Sequence, residues 1–262
     1  MIRCMLTAAT GMEAQQLYMD TISNNLSNVN TTGFKRSRIE FQDLMYQTLR
    51  EPGVRNFEGS MAPAGIETGL GVRPAGTQRV FQQGNFVGTE NQLDWAIEGE
   101  GFFQIEMPDG STAYTRDGAF KPSSDGSIVT SSGFYVYPQM TIPENSTDLA
   151  VSKDGKVTVV LPGETESTEI GQIELVRFIN PSGLRSLGGN LFAESDASGA
   201  PVVSLPTEEG TGTILAGYTE SSNVQIVDEM VNMISAQRAF EIISKAIQVG
   251  EDMMQVANNL KR

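Results

Sequence analysis

Histidine is absent from all 262 residues, and cysteine occurs once, as Cys4. The first absence removes the side chain that most often serves as general base, triad base or metal ligand. The second excludes an intrachain disulfide. Basic residues are scarce: 18 Lys and Arg stand against 32 Asp and Glu, for a formal net charge of −14. A chain this acidic is repelled by phosphate backbones, so no nucleic acid partner is expected. Long apolar runs are missing as well. None approaches the ~20 residues of a membrane helix, so no membrane insertion is expected. The apolar stretch Cys4–Ala9 runs into Gly11 and Glu13. It is too short for a secretory core of about 7–15 residues, and the chain is expected to keep its first helix rather than lose it as a cleaved signal.

Hydrophobic residues make up 39% and charged residues 19%, a globular composition. The clearest pattern lies at the two ends. A heptad seam runs Met1, Met5, Ala8, Met12, Gln15, Met19, Ile22, Leu26, Val29, with steps alternating four and three. The run from Ser23 to Gly33 is rich in Asn, Ser and Thr, which compete for backbone hydrogen bonds and stop a helix. A second seam runs Ala236, Ala239, Ile243, Ala246, Gly250, Met253, Ala257, Leu260, preceded by Val227, Val231 and Ile234 in another register. This last helix is apolar over a wide arc, and one antiparallel partner would leave part of it wet. Ser221-Ser222-Asn223 reads as its N-cap.

Between the ends the pattern changes. Short β-branched and aromatic runs alternate with Asp109-Gly110, Asp117-Gly118, Asp125-Gly126 and Asp154-Gly155, each the signal of a hairpin turn. The fold class expected is therefore α+β: an antiparallel β-rich central domain with N- and C-terminal helices that pair like a coiled coil. Residues 1–33 and 221–262 would form the terminal helical domain, 34–76 an extended connecting segment, and 77–220 the β domain. Residues 34–49 read as a short helix or an extended arm. From Tyr46 to Gly76 glycine and proline are frequent and no period is visible.

Chemistry is hard to place. Glu98 and Glu100 resemble a carboxylate pair, but charges on a strand edge explain them. Gly69-Leu70-Gly71 and Gly99-Glu100-Gly101 lack the third glycine of a dinucleotide loop. The Asp-Gly pairs lack the alternating acidic ligands of a calcium loop. No catalytic, cofactor-binding or metal-binding residue is assigned, and an enzyme is not expected. Cys4 reads as an inert core thiol. Lys35, Arg36 and Arg38 read as a solvated face or a partner contact.

The run Asn24-Asn25-Leu26-Ser27-Asn28-Val29-Asn30-Thr31-Thr32-Gly33-Phe34-Lys35 resembles the N-terminal signature of bacterial flagellar rod and hook proteins. Ser222-Asn223-Val224, then Glu229–Ile234 and Gln237-Arg238-Ala239-Phe240-Glu241, is similar to the second signature of that family. Asp94–Phe103 and Tyr114–Phe120 agree with it, and the likeness covers essentially the whole chain. Tyr46–Arg50 through Gly69–Arg73 look most like the distal-rod branch. The family often has Tyr where this chain has Phe240.

The resemblance implies a structural subunit that polymerises helically into a hollow, periplasm-spanning shaft carrying motor torque to the hook. It implies partners in further copies of the chain, proximal rod subunits, hook subunits, the ring proteins of the peptidoglycan layer and outer membrane, and the type III export apparatus. The assembly interface would include Met5, Met12, Met19, Ile22, Leu26, Val29, Val227, Val231, Ile234, Ala239, Ile243, Ala246, Gly250 and Met253. The family motif would be carried by Asn24, Asn25, Asn28, Gly33, Phe34, Asn223, Gln237 and Arg238. A proximal rod or hook subunit is the near alternative. A secreted β-rich binding protein, or a β-rich enzyme working without histidine, is the distant one.

Overall fold

The computed structural model describes residues 2–52, 64–143, 146, 148–162, 167–208 and 210–259. The chain divides into two compact units, each drawn from separate stretches of sequence. The architecture is α+β: a helix at each end and an antiparallel β-rich middle.

The helical unit gathers Met1–Leu26, Ser37–Gln78 and Gln225–Arg262. Its helices are α1 (Ile2–Ser27) and α2 (Ile226–Asn259). Asn25 meets Glu229, Gly11 faces Ile243, and Met5 faces Gly250. The pairings step down one helix as they step up the other, by nearly equal amounts, which marks an antiparallel pair in constant register. On α2 the buried residues are Glu229, Ala236 and Gly250, with Ile243 half-buried in the same heptad series. The seam expected from Ala236 onward thus begins one heptad earlier, on a carboxylate. Helix α1 stops at Ser27, short of Val29 at the end of the seam, because Asn28 takes the Thr31 hydroxyl (3.2 Å) and the Thr31 N–H into a local turn.

The same unit holds strands within the segment 34–76, which reads in sequence as an extended connection. Strand β1 (Ser37–Asp43) pairs with β4 (Val72–Arg79), and β2 (Tyr46–Arg50) pairs antiparallel with β3 (Ile66–Gly69). The pairing partners are remote in sequence, so neither ribbon shows as a short hairpin signal. Ile39 on β1 is buried, and the Phe41 ring meets Tyr18 of α1 edge-on at 6.4 Å. The apolar residues Val54, Phe57 and Met61 of this segment lie outside the described residues, as do Met1 and Leu260 of the two seams.

The β unit gathers Ser27–Arg36 and Arg79–Val224. Strand β7 (Phe102–Glu106) is central and pairs antiparallel with β8 (Thr112–Thr115), β11 (Tyr135–Tyr137) and β15 (Leu175–Arg177). Side chains alternate across it: Phe103 and Ile105 enter one core and Phe102 the other. Ala113 and Tyr114, and Leu175 and Val176, divide the same way. The sheet is thus buried on both faces, one core built on Trp95, Phe103 and Phe120, the other on Phe102, Tyr114, Phe178 and Phe192. Strand β6 (Trp95–Glu98) pairs with β19 (Thr213–Ala216), and β5 (Phe86–Gly88) with β20 (Tyr218–Glu220).

Three of the Asp-Gly pairs turn as expected, with Gly110, Gly126 and Gly155 at φ between 76° and 79°. Asp117-Gly118 does not. Gly118 packs so closely on the Trp95 carbonyl that a Cβ there would overlap it. Glycine serves close approach at this position, not turn geometry.

Candidate functional site

Two sites emerge from the sequence-predicted residues. The first is the helix pair. On α1, Ile22 is buried and Met5, Met12, Met19 and Leu26 are half-buried. Val29 lies past the end of α1 and is half-buried in the β unit. On α2, Gly250 is buried and Ala239 and Ile243 are half-buried. Val227, Val231, Ile234 and Met253 are exposed instead, by 72%, 59%, 50% and 51%. With exposed Ile242, Val249 and Val256 they trace a second apolar stripe along α2 at steps of three and four, bridged by Arg238 and Lys245. Gln237 and Arg238 are exposed, and so is Asn24 on α1. Ala246 is exposed but lines an apolar groove of about 520 Å³, with Cys4, Ala8, Gly11, Ile242 and Ile243. Cys4 is therefore a surface thiol and not a core one.

At the Glu229 end of the pair an amide clamps the start of β1. Asn25 Nδ2 donates to Ser37 O (2.9 Å), and Ser37 N–H donates to Asn25 Oδ1 (2.8 Å). A buried asparagine here closes a two-way backbone pairing that any apolar residue would leave unmet.

The second site lies in the β unit, where three remote stretches meet. Thr32, Gly33, Phe34 and Lys35 come from one, Arg116 and Asp117 from another, Glu220 to Asn223 from the last. Gly33 has φ 67°, and a Cβ on it would sit 2.6 Å from the Asp117 nitrogen, so this motif position needs glycine. The Thr32 hydroxyl donates to Asp117 Oδ1 (2.9 Å), which also accepts from Ala119 N–H (3.1 Å). Burial pushes the Asp117 carboxyl above its ordinary value, although these hydrogen bonds oppose the shift. The buried Phe34 ring lies 5.7 Å from the Arg79 guanidinium, which also covers Phe192 at 5.2 Å.

Asn223 is not an N-cap. Its side chain accepts from Arg36 N–H (2.8 Å) and donates to the carbonyls of Val80 (2.8 Å) and Gln82 (3.0 Å), tying the chain on either side of the β unit's entrance. The Ser222 hydroxyl takes the Val224 N–H instead, two residues on.

Lys35 is fully buried, which corrects its reading as part of a solvated basic face. Its Nζ pairs with Glu220 Oε1 (2.5 Å) and donates to Gln82 O (2.8 Å). Arg116 Nη1 reaches Glu220 Oε2 (3.4 Å), and Nη2 donates to Gly99 O (2.7 Å). Lys35, Glu220, Arg116 and Glu229 were all missed as structural charges. For Glu229, extending the heptad count back from Ala236 would have found it. Nothing local links residues 35, 116 and 220.

Three family models match the chain: a flagella basal body rod protein model at residues 5–35, a flagellar hook protein FlgE/F/G D1 domain at 96–159, and a flagellar basal body rod FlgEFG protein C-terminal model at 215–260. The flagellar basal-body rod protein FlgG of Borreliella burgdorferi is 50% identical over 264 residues, covering 100% of both chains. That of Buchnera aphidicola from Acyrthosiphon pisum is 48% identical, covering 99% of this chain and 100% of its own. The chain belongs to the flagellar basal-body rod protein family.

The Bacillus subtilis rod protein FlgG is more distant, 37% identical over 273 residues, with 100% of both chains covered. Among solved structures, the Helicobacter pylori flagellar hook protein FlgE2 matches with a TM-score of 0.25 and 13% identity, over 64% of this chain and 48% of that one. The rod-protein models at the two ends take in both signatures described above: Asn24–Lys35, and Asn223 through Arg238. Of the residues expected to carry the family motif, Asn25, Gly33 and Phe34 are buried and Asn223 is half-buried, whereas Asn24, Gln237 and Arg238 are exposed.

Proposed function

We propose that this protein is the subunit of the distal flagellar rod, polymerising helically into a hollow shaft that crosses the periplasm and transmits torque to the hook. The observation that carries this reading is the second stripe of α2. Val227, Val231, Ile234, Ile242, Val249 and Met253 are exposed in the single chain although α1 already covers the opposite face. A helix apolar on two sides needs more than one neighbour, and a shaft of identical subunits supplies them. The role is structural rather than catalytic. Its partners are copies of itself, proximal rod and hook subunits, the ring proteins around the shaft and the export apparatus.

The β2–β3 ribbon supports the distal branch over the hook. Met45, Tyr46, Leu49, Ile66 and Leu70 are exposed on or beside it, Met45 by 81%. Laid across neighbouring subunits they would lock the tube against the sliding that lets a hook bend. Electron microscopy of the purified protein at rising concentration tests the reading. Straight tubes are expected; a protein that stays monomeric at every concentration would remove it.

A further inference from the structure

Lys35, Arg116 and Glu220 form a buried cluster with two cations and one anion. Their relative exposures are 0%, 4% and 1%. Acceptors are short: Arg116 Nε has no hydrogen-bond partner among the described residues, and the guanidinium rests on the Phe102 ring at 5.6 Å. Among the described residues, Glu220 is the carboxylate that forms an ion pair with both cations; Glu100 also acts on Arg116, at longer range. Glu220 Oε1 also accepts from Gly84 N–H (2.8 Å), and its backbone carbonyl accepts from Gly33 N–H (2.8 Å). One residue of β20 thus holds Gly33 and Lys35 from the N-terminal signature, Gly84, and Arg116 from the turn after β8.

We infer that Glu220 is a reciprocal latch: the segment 27–36 and the segment 219–224 seat on the β unit together, because Glu220 is the carboxylate that pairs with buried Lys35 among the described residues, and Lys35 makes the closer of the two ion pairs that hold Glu220. Without Glu220, seating 27–36 would bury Lys35 beside Arg116 as uncompensated like charges, a costly arrangement. Without Lys35, Glu220 loses its shortest contact and keeps the Gly84 N–H and, as its one remaining cation among the described residues, the more distant Arg116. Coupling of this kind is symmetric by thermodynamic necessity, so perturbing either segment loosens the other. The two ends of the chain thereby report to each other inside the β unit, whether or not the subunit is polymerised.

Amide hydrogen exchange on the full chain tests this, followed by mass spectrometry of peptides over 27–36, 219–224 and the β7 core. In Glu220→Gln, exchange at 27–36 is expected to rise by about a hundredfold, as for an uncompensated buried charge, with β7 still protected. In Lys35→Met, exchange is expected to rise at 219–224, a segment the substitution does not touch in sequence. If each variant loosens only its own segment, the latch is overturned. Should Glu220→Gln unfold the whole unit, Lys35→Met/Glu220→Gln decides. It leaves one buried cation instead of two, so it should regain protection relative to Glu220→Gln. A double variant as unprotected as the single, or more so, also overturns the latch.

Discussion

At the scale of residues, Asn25, Gly33, Phe34 and Lys35 of the N-terminal signature close buried contacts. Gly33 is held at positive φ against the Asp117 backbone. Gly33→Ala should destabilise the β unit by about 1–3 kcal/mol, since strain and close approach act together; urea unfolding measures it, and an unchanged midpoint would contradict the geometry. Lys35 carries a pH signature. Burial holds its ammonium below the ordinary value of 10.5; Glu220 opposes the shift and Arg116 adds to it. The folded chain then binds fewer protons than the unfolded one between the lowered value and 10.5, so this group's contribution to stability rises with pH through that window. Lys35→Met removes the rise. The stability difference between parent and variant should grow as pH climbs towards 10.5, and a difference independent of pH would show that burial does not shift the group.

At the scale of elements, α2 has one face for α1 and one for a neighbour. Ile234→Asp and Val249→Asp place charge on the outward stripe, where Ile234 is 50% and Val249 55% exposed. Monomer stability should move by no more than about 0.5 kcal/mol, as is usual at exposed sites, while polymerisation is lost. Sedimentation of polymer against denaturant unfolding of monomer separates the two effects. Ala246→Leu projects into the apolar groove beside Cys4 and should act in the same direction. On the inward face, Gly250→Leu meets Met5, 3.7 Å from an added Cβ, and should weaken the helix pair by about 1–3 kcal/mol through overpacking. Deleting Glu51–Gly65 removes the link between β2 and β3; tubes more curved or irregular than the parent's are expected by electron microscopy.

At the scale of the whole molecule, the two compact units interleave in sequence. Residues 27–36 and 79–224 form one, and the flanking stretches the other. The β unit has its own two cores, whereas much of the apolar surface of α2 awaits partners. In a dilute monomer, trypsin is therefore expected to cut at exposed Arg238 and Lys245 before it cuts at buried Lys35. Polymer should protect the first two sites. Cleavage at Lys35 first would place the weakest part of the subunit in the β unit.

The sequence by itself determined the class of fold, the two terminal helices and the family. Each rests on short-range periodicity or on contiguous motifs: a heptad is visible within one helix, and an Asp-Gly turn within four residues. It also carried the excess of apolar surface on α2, because two registers cannot face one neighbour. Tertiary structure decided the rest. The ribbons between residues 37 and 79 were illegible because strand pairing joins residues remote in the chain, with no local signal in either partner. Lys35 looked like a surface charge because its neighbours in sequence are Arg36 and Arg38; its neighbours in space are Glu220 and the Gln82 carbonyl. Asn223 looked like a helix cap because it precedes a helix, yet its amide ties Arg36 to Val80 and Gln82. Whether a polar side chain is solvated, capping or buried depends on which acceptors the fold delivers to it, and those arrive from elsewhere in the chain.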